Sequence, residues 1–495
     1  MEGSEALMRI EEIFEVRPSR RQLEWQRLEF YGFIHFGINT MTGREWGVGH
    51  EDISLFNPVK LDAEHWVSMC KNAGMKALIL TCKHHDGFCL WPSRYSEHTV
   101  ANTPWKQGQG DVVREVADAC RRQGLKFGVY LSPWDRTEAS YGEGKLYDDF
   151  YVHQLTELLT HYGEIACVWL DGANGEGPSG KKQYYDWDRY YETVRRLQPQ
   201  CVISVCGPDI RWVGNEAGHT RQEEWSVVPR FLRDAEKVAE KSQQADDGEF
   251  SRSLNSMDED LGSRKAIAQY PDEDWVWYPA EVNTSIRPGW FYHQEEDSQV
   301  RSGSELFDIY LNAVGGNGTF LLNLPPNPEG VIVEEDCQAL GDLGSKITRL
   351  NDVNLSLGAR VDVSSNQEAS QENMEGLLNS AYSEFVWRPA EDDTEPWVQL
   401  TLENEVTIDT IMLQEQIQLG QRVERFEIWA IGGDQVEWTL LAESSIIGYK
   451  KILRIPVTWL DRIKIVFKQY RGYPTLKHVR LLHLGEKGNS SLTKE

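Results

Sequence analysis

Short apolar runs separated by polar loops and amphipathic stretches dominate the first two-thirds of the chain. Tyr31–Phe36, Ala77–Thr81, Phe127–Leu131, Ala166–Leu170 and Cys201–Val205 are β-prone and recur at intervals of roughly 35 to 50 residues. They are apolar along their length rather than alternating, as strands buried on both faces are. Between them, Asp62–Ala73, Asp111–Gln123 and Phe150–Tyr162 read as helices, and residues 17–29 predict a short amphipathic helix ahead of the first strand. Strand, polar loop, helix, strand is the rhythm of a parallel sheet, and this many units predict an α/β architecture, a TIM-like (β/α)8 barrel. After Pro229 the rhythm degrades. Residues from about 235 to 272 are rich in Asp, Glu, Ser and Gln and predict an exposed insertion or mobile loop. Barrel-like strands resume at Trp275–Pro279 and Thr319–Leu324, and a helix over Glu334–Leu350 closes the first domain.

From about Asn354 the pattern changes to short strands of alternating apolarity with turn residues between them. Trp397–Leu402, Val406–Gln414, Arg425–Ile431 and Arg462–Phe467 have no helical stretch between them, which predicts an all-β sandwich. The expected organisation is a catalytic barrel over 1–350, a C-terminal β-sandwich over 351–485, and a polar, disordered tail over 486–495.

Composition narrows the function. A net charge of −27 without a basic stripe argues against nucleic acid and anionic membranes, and no apolar run reaches the length of a membrane span. The one basic cluster, Tyr449–Arg454, alternates with apolar residues and reads as the solvated face of a strand. The eight cysteines show no Cys-x-x-Cys spacing and several lie in apolar runs, which favours a reducing compartment. The N-terminus lacks the pattern of a secretory signal, so a cytoplasmic location is expected, or secretion if a signal has been removed. Aromatics are dense, with eighteen tryptophans; many will be core, but indoles also stack on the apolar faces of sugar rings, which fits a carbohydrate protein.

Each apolar run ends in something chemically specific. Ala166–Leu170 delivers Asp171, followed at once by small residues; the first run gives His35 and then Glu45-Trp46; the second gives Lys83-His-His-Asp-Gly87, with His84 and His85. The third carries Tyr130 and leads to Asp135, and a later one carries Pro279-Ala-Glu281, with Trp290 just beyond. In a barrel such exits converge on one pocket. A second carboxylate, Glu216, lies in the Gly-flanked loop Arg211–Gly218, which core packing would not need. Two carboxylates on polar loops, among His and Trp, are what glycosidic-bond cleavage requires. The plainer readings are a helix N-cap for Asp171 and a surface loop residue for Glu216. A metal site built on His35, Glu45, His84 and His85 is disfavoured, because adjacent strand residues point to opposite faces and no His-x-x-x-His spacing accompanies them. Neither a dinucleotide fingerprint, a P-loop nor a Gly-x-Ser-x-Gly elbow is present, so no metal or cofactor is expected.

Gly32–Gly37, Lys83–Trp91, Gly128–Asp135, Val168–Gly172 and Trp212–Gly218 together resemble the α-L-fucosidases of glycoside hydrolase family 29, with the subgroup acting on α-1,3/1,4-linked branching fucose as the nearest match. Gln414–Val423 and Ile447–Arg454 are similar to that subgroup's discoidin-like sandwich. The resemblance implies Asp171 as nucleophile and Glu216 as acid/base. It implies that His35, Glu45, Trp46, His84, His85 and Tyr130 hold the sugar, with Glu281 and Trp290 contacting it or its neighbours. The expected partners are fucosylated oligosaccharides or glycoprotein glycans. A retaining mechanism would set the two carboxyl groups about 5–5.5 Å apart. A barrel that has lost activity and only binds carbohydrate, a broad-specificity fucosidase and another exo-glycosidase are the alternatives.

Overall fold

The computed structural model describes residues 12–221, 224–236, 238, 262–270, 274–367, 371–379, 385–433 and 436–485. In chain order the first part contains β1 (Phe30–Ile34), β2 (Ala77–Lys83), β3 (Lys126–Leu131), β4 (Cys167–Leu170), β5 (Val202–Val205), β6 (Arg211–Trp212), β7 (Val227–Pro229), β8 (Trp275–Trp277), β9 (Ala280–Ser285) and β10 (Thr319–Asn323). Eight of these form a parallel sheet in the order β5-β4-β3-β2-β1-β10-β9-β6. A lone bridge between Ser204 and Ile210 joins its two edges, so the barrel is nearly closed. Strands β1, β2, β4, β5, β9 and β10 are buried at every position, which is why they read as unbroken apolar or compact runs.

Helices Ala63–Asn72, Val112–Gln123 and Trp187–Leu197 lie between the strands, and each starts on an aspartate whose side chain accepts an N–H of the first turn: Asp62 from His65, Asp111 from Arg114, Asp186 from Arg189. The helix expected from Phe150 begins earlier, at Lys145, and runs to His161. Between β5 and β6 there is no helix. The chain turns through Val205, a β-branched residue at φ 66°, and Asp209 fixes the turn by accepting from the Ile203 N–H at 2.8 Å and pairing with Arg21 and Arg195. A β-branched side chain tolerates that backbone region poorly, so the turn is held by its neighbours rather than by local preference.

Two expectations fail here for physical reasons. The run Trp275–Pro279 is not a barrel strand: β8 pairs antiparallel with β7 in a separate ribbon, and its Trp277 Nε1 donates to Gln26 at 3.0 Å. The barrel strand is the next segment, β9. Of the acidic stretch expected to be exposed, residues 262–270 include the helix Arg264–Gln269 with Ala266 and Ile267 buried. Most of the remainder, like the tail 486–495, lies outside the described residues.

The C-terminal part is antiparallel: β11 (Arg360–Val363), β12 (Trp397–Gln414), β13 (Val423–Ile431), β14 (Thr439–Ser444), β15 (Lys451–Tyr470) and β16 (His478–Leu482). β12 and β15 pair along nearly their whole length and shift register between Thr401 and Val406 and again between Ile408 and Thr410. One half of this ribbon carries β11 and β13, the other carries β16. Val398, Leu400, Ile463 and Ile465 from the first half share one core with Ile408, Ile411 and Leu413 from the second.

This sheet is fused to the barrel. The Ile452 N–H donates to Gly315 O at 3.0 Å, and Met412, Ile452, Leu482 and Leu484 join the barrel's apolar core. The basic cluster Tyr449–Arg454 is therefore a solvated strand face only at Arg454, which is exposed. Lys450 and Lys451 are buried, and Glu29 faces the first of them across the interface, with Lys450 Nζ at 2.6 Å and the Tyr449 hydroxyl donating at 3.1 Å.

Candidate active site

Asp171 follows β4 directly and caps no helix, since the next helix starts at Trp187. Its Oδ2 accepts the Tyr130 hydroxyl at 2.8 Å and its Oδ1 accepts the Ala173 N–H at 2.8 Å. These two donors fix the carboxylate while its side chain stays 20% exposed. His85 Nε2 approaches Oδ2 at 3.8 Å.

His85 belongs to a row of three imidazoles, packed ring to ring with His84, which in turn packs on His35. Burial depresses His35 to about 3, His85 to about 4, and His84 well below its ordinary value, so all three are neutral at pH 7. Their partners set the tautomers. His35 Nδ1 lies 2.8 Å from Asn323 Oδ1 and donates to it; the Asn323 amide is oriented by donating to Trp290 O and Ser285 Oγ. His85 Nδ1 donates to Ser132 Oγ at 2.7 Å, because that hydroxyl's proton goes to Trp134 O. His84 Nδ1 instead faces the Asn39 Nδ2 donor at 3.4 Å. His35 and His85 are thus left with an accepting Nε2, and His84 with a donating one.

Glu45 acts as a clamp. It accepts the N–H groups of Trp290 (2.8 Å) and Phe291 (3.0 Å) and pairs with His293 Nε2 at 2.8 Å, which pins the loop after β9 to the loop after β1. Trp290 Nε1 in turn donates to Glu216 Oε2 at 3.0 Å. Glu216 is half-buried, and burial, helped by the charges of Asp171 and Glu45, raises its carboxyl to about 7 despite that hydrogen bond. Aromatic contacts complete the enclosure: Trp46 meets His85 and Trp134 edge-on, His84 lies parallel to Tyr130, and Trp290 and Phe291 flank His35.

The structure therefore brings Asp171, Glu216, His35, Glu45, Trp46, His84, His85, Tyr130 and Trp290 into one connected cluster. Glu281 does not belong to it. It is the second residue of β9, 0% exposed, and accepts from Tyr31 (2.6 Å), Trp169 (2.8 Å) and Ser204 (3.3 Å). It lies toward the start of its strand, on the floor of the barrel. Asn323, Ser132, Asn39 and His293 went unrecognised in the sequence. Only Asn323 carried a signal there: it is the first polar residue after Phe320-Leu-Leu322, as Asp171 is after its own run.

A protonated carboxyl beside a carboxylate held by two donors, ringed by neutral imidazoles and indoles, has the parts for glycosidic-bond cleavage. Comparison with known proteins points the same way. A family model described as alpha-L-fucosidase matches residues 24–351. Alpha-L-fucosidase 1 of Arabidopsis thaliana is 38% identical over 468 residues, 94% of this chain and 87% of that protein. A crystal structure of a candidate α-L-fucosidase from Bacteroides ovatus superposes with a TM-score of 0.81 at 41% identity, over 98% of this chain and 78% of its own. A GH29 fucosidase of Ruminococcus gnavus, solved in complex with fucose, superposes with a TM-score of 0.80 at 29% identity, over 95% of each chain. On a match of that extent, the chain belongs to the α-L-fucosidases of glycoside hydrolase family 29, enzymes of fucose-containing substrates.

Proposed function

We propose that the protein is a retaining exo-α-L-fucosidase that removes α-1,3/1,4-linked fucose from branched, Lewis-type glycans, with Asp171 as nucleophile and Glu216 as acid and base. The observation that carries this reading is the unequal treatment of the two carboxyl groups. Asp171 receives two hydrogen bonds, while Glu216 holds its proton to about 7.

In the first step Asp171 attacks the anomeric carbon and Glu216 protonates the departing oxygen. Because Oε2 is occupied by the Trp290 N–H, Oε1 carries the transferable proton. Esterification of Asp171 then removes one of the charges that raise Glu216, so its pKa falls and it can take a proton from the attacking water. His84 Nε2–H donates to a sugar hydroxyl, and the accepting Nε2 atoms of His35 and His85 accept hydrogen bonds from sugar hydroxyls. Trp290 and Phe291 beside His35 supply the apolar contact that a 6-deoxy methyl needs. The linkage preference rests on the resemblance of Trp212–Gly218, the loop that carries Glu216.

The test is hydrolysis of a Lewis-type branched trisaccharide beside 2′-fucosyllactose, with Asp171→Asn as control. Fucose released only from the branched sugar supports the reading. Cleavage of the α-1,2 linkage moves the protein to broad specificity, and binding of both sugars without release marks a carbohydrate-binding barrel.

A further inference from the structure

Next to the histidine pair the chain gathers a second polar cluster. Among the described residues, Glu51, Asp86 and His98 form the group of His, Cys, Asp and Glu side chains whose ligand atoms all lie within 4.8 Å of one another, and all three are buried. Glu51 Oε1 accepts the N–H groups of Val48 and Gly49, and Asp86 Oδ1 accepts the N–H of Phe88. Those bonds orient the carboxylates but leave Glu51 Oε2 without a partner. His98 Nε2 faces it at 3.7 Å, also without a partner. That separation is too long for a hydrogen bond. It is close to the roughly 3.3 Å that separates two ligands of one tetrahedral ion with bonds near 2.0–2.1 Å. Asn39 Oδ1 is a further unpartnered atom on a residue that is 0% exposed. It lies close to two of these residues, since a Cβ added at Gly47 would lie 2.6 Å from both Asn39 Oδ1 and Glu51 Oε1 and 2.5 Å from the Asp86 Cβ.

Two buried carboxylates beside an imidazole, with three polar atoms unsatisfied, are costly unless something of opposite charge lies between them. We propose that Glu51, Asp86 and His98, with Asn39 Oδ1 as a fourth donor, bind a divalent metal ion of the borderline class, Zn2+ or Mn2+. One imidazole with oxygen donors suits those ions better than Mg2+. The role is positioning. Asp86 follows His85 directly, Asn39 Nδ2 reaches both His84 Nδ1 and Glu45 O, and Glu51 ends the segment that carries Glu45 and Trp46. One ion would tie the segment that presents His84 and His85 to the one that presents Glu45 and Trp46. Spacing along the chain conceals the site, because its ligands come from separate loops.

Metal content of the full-length protein by inductively coupled plasma mass spectrometry, paired with thermal melts before and after stripping with dipicolinate, tests this. The expected result is about one ion per chain, a melting temperature that falls on stripping and returns with Zn2+ or Mn2+ but not Mg2+, and a raised KM for an aryl fucoside in the stripped protein. Glu51→Gln and His98→Gln should lower affinity on the order of 100-fold, while Asp171→Asn keeps its ion. If either variant fails to fold, direct calorimetric titration of the stripped wild-type chain still decides. The proposal is overturned if the wild-type protein holds no ion and takes up neither metal, which leaves a Glu51–His98 ion pair. Uptake that Glu51→Gln leaves unchanged overturns it equally.

Discussion

The mouth and the floor of this barrel each hold a glutamic acid whose carboxyl is shifted by burial, and the contrast between them locates the chemistry. Burial raises the carboxyl of both Glu216 and Glu281, so perturbation alone does not distinguish them. Their hydrogen bonds do. Glu281 is wrapped by Tyr31, Trp169 and Ser204 and has no exposed surface. Glu216 receives one donor, from Trp290, and remains half-open to the pocket. A carboxyl whose lone pairs are filled by the protein supports a fold. One left with a free oxygen beside a second carboxylate can pass a proton to a ligand.

The largest effect that would test this division is at the mouth. Asp171→Ala should lower kcat roughly 10^4-fold with an unchanged melting temperature, and azide should restore turnover of an aryl fucoside; no rescue would reduce Asp171 to a structural role. Glu216→Ala should cost roughly 10^2- to 10^4-fold on a natural oligosaccharide and far less on an aryl fucoside, whose leaving group needs little protonation. Equal losses on both substrates would remove Glu216 from the acid's role. On the floor, Glu281→Gln replaces one carboxylate oxygen by an amide NH2, which then opposes either the Trp169 donor on Oε1 or the Tyr31 donor on Oε2. It should lower unfolding free energy by about 1–3 kcal/mol in a denaturant melt, with the pH–rate profile unmoved.

Smaller effects sharpen the same contrast. Wild-type kcat/KM should fall as pH rises past about 7, where Glu216 loses its proton. Trp290→Phe removes the hydrogen bond that lowers Glu216's pKa, so this limb should move to higher pH; a shift the other way would mean that Trp290 acts by packing alone. The smallest effect is on stability. Glu216's folded pKa lies above its ordinary value of 4.5, so its contribution to stability is complete below about 4.5 and is lost as pH rises through about 7. Glu216→Gln should melt higher than wild type above pH 7 and not below pH 4.

The barrel was legible because parallel strands buried on both faces read as apolar runs, and the first polar residue after each run marks its exit, as His35 and Asp171 do. The same rule misplaced β9. Its sequence, Ala-Glu-Val-Asn-Thr-Ser, is polar at alternate positions because Glu281, Asn283 and Ser285 bond within the barrel, to Trp169, Trp212 and Gly289 O. The more apolar Trp275–Pro279 competed for the assignment and lies outside the barrel. The pocket's supporting side chains were illegible for a different reason. Asn323, Ser132 and Asn39 each act through a histidine on another segment, and no pattern along the chain reports a partner that far away in sequence. The buried lysines at 450 and 451 misled in the same manner, since what neutralises Lys450 is Glu29.

That last pair bears on how the protein is made. Glu29 lies immediately before β1, and Tyr449, which bonds to it, is synthesised 420 residues later. As the chain grows from its N-terminus, the barrel's first strand therefore emerges beside a carboxylate whose cation and hydroxyl donor do not yet exist. The barrel reaches its final free energy only when the C-terminal sheet has docked, so the two parts should mature as one cooperative unit rather than as successive independent folding events.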